Sequence, residues 1–99
     1  MRRGTTPKHT FFTDIDLTMA EVIYITYEQN GRIILEKAMP DIKVRPDAVE
    51  VTLTQEETLA FEEYEQIRMQ IRARYPDGKT VACNIINTNT KEILKEGVI

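Results

Sequence analysis

The 99-residue chain has no serine, one cysteine, one histidine, and only four glycines and four prolines. The lone Cys83 cannot close an internal disulfide. With no disulfide framework and no secretory signal, a cytoplasmic origin is expected. Without serine there is no Ser–His–acid triad, and the one imidazole, His9, falls in an irregular opening stretch far from any nucleophile, so it is assigned to the surface. Cys83 lies on the inward side of a strand pattern, where a thiol acts as a small hydrophobe rather than a reactive group. No run approaches the ~20 apolar residues of a membrane-crossing helix, so no membrane partner is expected. Excess positive charge is missing too: 13 Lys and Arg stand against 16 Asp and Glu, a net charge of −3. No field draws in phosphates, and generic nucleic-acid binding is disfavoured.

What remains is the composition of one ordinary globular domain, 41% apolar and 29% charged. Residues 1–8 mix charge, Gly, Thr and Pro without period and read as a flexible N-terminal arm; residues 9–99 form the folded domain. Beyond His9 the apolar spacing is mostly two, so short strands are predicted. Glu21 to Glu28 is a half-buried strand facing inward through Ile23, Ile25 and Tyr27. It turns at Gln29-Asn30-Gly31 into Arg32 to Lys37. A two-residue Asn30-Gly31 turn would set Ile25 opposite Glu36 and bury a carboxylate, so a three-residue loop pairing Tyr27 with Ile33 and Ile25 with Leu35 is preferred.

Asp41 to Val44 reads as a short edge strand ended by Pro46. Val49, Val51 and Leu53 mark the next strand, which runs into Thr54-Gln55-Glu56-Glu57. There Thr54 and Glu57 have the spacing of a capping box, predicting one or two helical turns through Phe61. The clearest pattern is Glu65 to Tyr75, with Ile67, Met69, Ile71 and Ala73 on one side. Pro76-Asp77-Gly78 then reverses the chain into Thr80 to Asn87, pairing Ala73 with Val81, Ile71 with Cys83 and Met69 with Ile85. The segment after Asn87 is too short in apolar content to classify.

The fold expected is all-β, an antiparallel β-sandwich of about seven strands, immunoglobulin-like in plan, with one short helix; a small open β-barrel is the alternative. Its core should hold Phe11, Ile23, Ile25, Tyr27, Ile33, Leu35, Val49, Val51, Leu53, Phe61, Ile67, Met69, Ile71, Val81, Cys83 and Ile85. No catalytic, cofactor-binding or metal-binding residues are assigned. Glu56, Glu57, Glu62, Glu63 and Glu65 lack the interleaved ligands and turn glycine of a calcium loop and read as a solvated acidic face. One surface stands out as an interface candidate: Gln66, Arg68, Gln70, Arg72 and Arg74 on one side of a strand, with Thr80 and Asn84 beside them. An ordinary solvated sheet face is the plain alternative.

Four segments carry a resemblance. They are Thr5-Thr6-Pro7-Lys8-His9-Thr10-Phe11 behind Arg2-Arg3-Gly4, Tyr27-Glu28-Gln29, Leu53-Thr54-Gln55-Glu56-Glu57-Thr58 and Gln70-Ile71-Arg72. Together they resemble a group of small uncharacterised proteins of phages and prophages from Gram-positive gut bacteria. The resemblance implies a non-enzymatic virion or assembly component of the tail or baseplate region. It would act through contacts with other phage structural proteins or copies of itself, and bind no cofactor. The family supplies no catalytic residues. Lys8 departs from the pattern by making the opening more basic. A small adaptor or regulatory binding protein is the alternative function.

Overall fold

The computed structural model describes residues 1–99 and is all-β apart from one helical turn and a half. Its elements are β1 (Lys8–Phe12), β2 (Val22–Gln29), β3 (Arg32–Ala38), β4 (Ile42–Arg45), β5 (Ala48–Thr52), α1 (Gln55–Leu59), β6 (Gln66–Arg74), β7 (Thr80–Ala82) and β8 (Ile86–Asn89). They form two antiparallel sheets. One has the order β1-β5-β4; the other runs β3-β2-β6, with β7 and β8 pairing in tandem along the far side of β6. The expected two-sheet sandwich is found, with eight strands. No helix is long and apolar enough to cross a membrane.

Strand parity builds the core. Ile23, Ile25 and Tyr27 of β2 lie opposite Ala73, Ile71 and Met69 of β6, and all six are buried. From the smaller sheet, Phe11, Ile42, Val49 and Val51 face them, while Leu53 and Phe61 close one end. Fully burying each Ile or Leu contributes roughly 1.5–3 kcal/mol, so this double layer is the main source of stability. Leu17, Ala20, Ala48 and Ile42 are also buried; none was placed in the core from sequence, because Leu17 and Ala20 sit in a connection with no period to follow.

The first hairpin departs from its expected register. Asn30 and Gly31 both take positive φ, 52° and 76°, which is the two-residue type I′ turn that Asn-Gly favours. Gln29 pairs with Arg32 and Glu28 with Ile33, and then the register shifts so that Tyr27 faces Leu35 and Ile25 faces Lys37. The extra residue at the shift is Ile34. This β-bulge resolves the conflict that argued against the short turn: Glu36 stays outside, and the inward place opposite Ile25 goes to Lys37, which has a carboxylate partner. The three-residue loop was therefore wrong, and Ile33, expected in the core, is 65% exposed.

At the other hairpin the three-residue loop is as expected, with Tyr75 N–H donating to Lys79 O at 2.8 Å and Ala73 facing Val81. Cys83 N–H donates to Ile71 O at 3.0 Å, so the pairing continues to Cys83. A shift of one residue follows, and Met69 faces Ile86 instead of Ile85. Ile85 is consequently exposed rather than core.

The capping box forms as read from the sequence: Glu57 N–H donates to Thr54 Oγ1 at 3.1 Å, and Thr54 N–H donates to Glu57 Oε1 at 2.8 Å. Residues 1–8, expected as a flexible arm, are instead fastened along the body. The Met1 amino group donates to Asn89 O, Thr5 N–H donates to Thr58 Oγ1, and Leu53 N–H donates to Pro7 O. Gly4, at φ +70°, lies against Ile93; a β-carbon there would stand 2.7 Å from the Ile93 side chain. The sequence offered no period here because the contacts are polar and run to distant residues.

Ile71→Ala should lower the unfolding free energy by about 2–5 kcal/mol through lost transfer energy and a residual cavity, whereas Ile33→Ala should change it by less than about 0.5 kcal/mol. Urea denaturation of the two variants checks both; equal effects would contradict the bulged register.

Candidate interaction surface

The expected interface lies on the outer face of the larger sheet. Across β2 and β6, Glu28 faces Arg68, Thr26 faces Gln70, Tyr24 faces Arg72 and Val22 faces Arg74. Inward Ile67, Met69, Ile71 and Ala73 force the intervening residues outward, and the strand geometry does the rest. Arg68 meets Glu28 at 3.3 Å and Arg74 meets Glu21 at 3.1 Å. The Gln70 amide donates to Cys83 O at 3.0 Å. Arg72 differs: it is exposed, lies between Tyr24 and Ala82, and makes no ion pair or side-chain hydrogen bond. Gln66 extends the row at its end, opposite Asn89.

Asn84 does not join this face. It sits in the break between β7 and β8, where it lines an apolar cleft under Phe12 and Ile15. The one-residue shift after Cys83 redirects it. The acidic residues, read as one solvated face, diverge among separate partners. Glu57 accepts from Lys37, Glu62 accepts from Asn30, and Glu63 pairs with Arg3.

Between the sheets lies a polar cluster that went unrecognised in the sequence. His9, assigned to the surface, points inward from β1, and its Nδ1 is 2.7 Å from the fully buried Tyr27 hydroxyl. Their rings lie 5.7 Å apart, and Tyr27 meets Phe61 edge to face at 5.9 Å. With the imidazole neutral and its proton on Nε2, Nδ1 accepts from the tyrosine. Burial, and to a lesser extent the charge of Met1, pushes the His9 pKa below its ordinary value. Burial, then the Glu57 charge, holds the Tyr27 hydroxyl protonated far above its usual range. Nearby, Lys37 Nζ donates to both Glu57 oxygens at 3.1 and 2.9 Å. Burial pushes the Glu57 carboxyl up, but the bonds from Lys37 and Thr54 outweigh it and leave the pKa lowered. Parity could have found His9, since it is two residues from the inward Phe11.

Tyr27 is thus fully buried between Phe61 and the half-buried His9. Cys83 is engaged within the chain: its Sγ accepts from Ile71 N–H and lies 3.1 Å from Asn84 O. No family model, curated protein or solved structure matches the chain.

Because the folded chain disfavours protonated His9, the unfolded chain takes up a proton first as the pH drops. Stability should therefore fall as the pH goes below about 6.5, the ordinary imidazole value, and His9→Gln should flatten that step. Denaturant midpoints collected across this range check it; an unchanged slope in the variant would contradict the buried contact.

Proposed function

We propose that this chain is a non-enzymatic assembly protein of a phage or prophage particle, a tail or baseplate component, and that its partner docks on the Arg68, Arg72 and Arg74 face. The observation that carries this reading is Arg72. It presents a charged planar fork beside the exposed Tyr24 ring, with no acid of its own chain to satisfy it. Arginine and tyrosine are among the residue types enriched where proteins meet, and a guanidinium recognises a carboxylate through two parallel bonds. The flanking pairs Arg68–Glu28 and Arg74–Glu21 hold that strand's charges in place and leave Arg72 as the free donor.

Engagement of His9 and Cys83 in internal bonds supports a role without catalysis. The resemblance of Leu53 to Thr58 and the other quoted segments supports the phage assignment. Glu57, Glu62 and Glu63 are already bonded within the chain, so the carboxylates that meet Arg72 come from another particle protein or from other acids of a second copy. Each exposed pair adds only about 0–1 kcal/mol, so several must act together and dilute protein binds weakly.

In an induced lysogen, changing Arg68, Arg72 and Arg74 together to Gln should leave melting of the purified chain unchanged and remove it from purified particles, as read by mass spectrometry. Normal incorporation of the triple variant would overturn the docking face. Absence of the unmodified chain from particles that contain other minor tail proteins would overturn the virion role.

A further inference from the structure

A second surface is independent of the arginine face. Loop 13–17 and the break between β7 and β8 bound an open cleft of about 340 Å³, lined largely by Phe12, Ile15, Leu17, Ile71, Val81 and Ile86. Phe12 at its rim is 80% exposed, and Ile15 and Ile86 are also exposed. Nothing in the chain covers it. Its rim carries Asp14, with Asp16 two residues on, and neither has a cationic partner. Hydrogen bonds from the Thr18 hydroxyl and backbone hold the Asp16 carboxyl below its ordinary range, so it stays charged.

The stretch after Thr90 offers groups to match, exposed apolar side chains and two lysines, beside Glu92 and Glu96. Leu94 is 95% and Ile99 86% exposed, Val98 is exposed as well, and Lys91 and Lys95 have no anionic partner. This stretch is nonetheless held in shape. Ile93 packs against Gly4, Glu96 pairs with Arg3 at 3.0 Å, and Gln55 exchanges two hydrogen bonds with the Ile99 backbone. Those anchors keep it beside the Gln66 end of β6, whereas the cleft lies beside Ile71 and Ala73. The chain cannot fill its own cleft while they hold.

We infer that copies of this chain associate head to tail, Leu94 and Val98 of one seating in the cleft of the next, with Lys91 and Lys95 meeting Asp14 and Asp16. A copy joined through its tail leaves its own cleft open to a third, so the head-to-tail contact builds rings or open rows. The inference rests on the assembly role proposed above only for its biological setting. It is tested on pure protein, so either can fail without the other.

Sedimentation velocity of the full chain at rising concentration, up to about 1 mM, should reveal species larger than a dimer. Leu94→Glu and Ile15→Glu, both exposed, should each keep the native circular dichroism and weaken association at least ~10-fold. Phe12→Glu serves for the cleft should Ile15→Glu unfold. Mixing the tail variant with the cleft variant leaves one intact tail and one intact cleft, so a dimer and nothing larger should return. A chain that stays monomeric throughout, variants that associate like the parent, or a mixture that forms no dimer would each overturn the inference.

Discussion

Everything in this molecule is arranged around the inward row of β2: Ile23, Ile25, Tyr27 and Gln29, each 2% exposed or less. The first three are flanked by β6 on one side and face the smaller sheet. The fourth ends the row with an amide. Gln29 donates to Thr90 Oγ1 at 2.8 Å and to Glu62 O at 3.0 Å, and accepts from Glu62 N–H at 2.8 Å. Thr90 then donates to Glu65 O and accepts, through its own carbonyl, from Tyr64 N–H. A buried amide is costly unless its groups are paired. Here each bond also fixes a segment that has no strand or helix of its own.

That clasp explains why long irregular stretches are ordered in a chain with little helix. The connection from α1 to β6 is held by Gln29, the stretch after β8 by Thr90, and the opening residues by Thr58, which is fully buried and both donates to Thr5 O and accepts from Thr5 N–H. Arg3 lies where these segments meet, bonded to Leu59 O, Glu63 and Glu96. The order of these segments therefore comes from side chain to backbone bonds, while the apolar double layer supplies the bulk of the free energy. The contiguity matters for the surfaces as well, since the anchors that hold Gly4 against Ile93 also set the pose of Leu94 and Val98.

Where local pattern sufficed, the sequence was legible. Alternation from Ile67 to Ala73 placed the core and, by the same parity, the outward arginines; Thr54 and Glu57 marked the helix start because both halves of a capping box lie within four residues. Local pattern failed where a distant partner decided the outcome. Lys37 could be buried only because Glu57 waits on α1, and that pairing made the short Asn30-Gly31 turn compatible with a bulge at Ile34. Glu50 is buried between Lys8 and Arg45 on neighbouring strands for a similar reason. His9 and Gln29 had inward parity, but as polar residues they signal the core only once Tyr27 and Thr90 are seen beside them. Asn84 left the arginine face because a one-residue shift after Cys83 has no marker in composition.

The dependence on the Gln29 clasp is most directly measured with Gln29→Leu, which keeps similar bulk and removes every polar contact. Glu62 N–H and O would then lose their side-chain partner, and the buried Thr90 hydroxyl would lose its donor while keeping Glu65 O. Chemical denaturation should show the variant less stable by roughly 1–3 kcal/mol, with amide exchange accelerated in residues 60–65 and at Thr90 before the β2 and β6 amides are affected. A variant as stable as the parent, with unchanged exchange in those segments, would contradict the account.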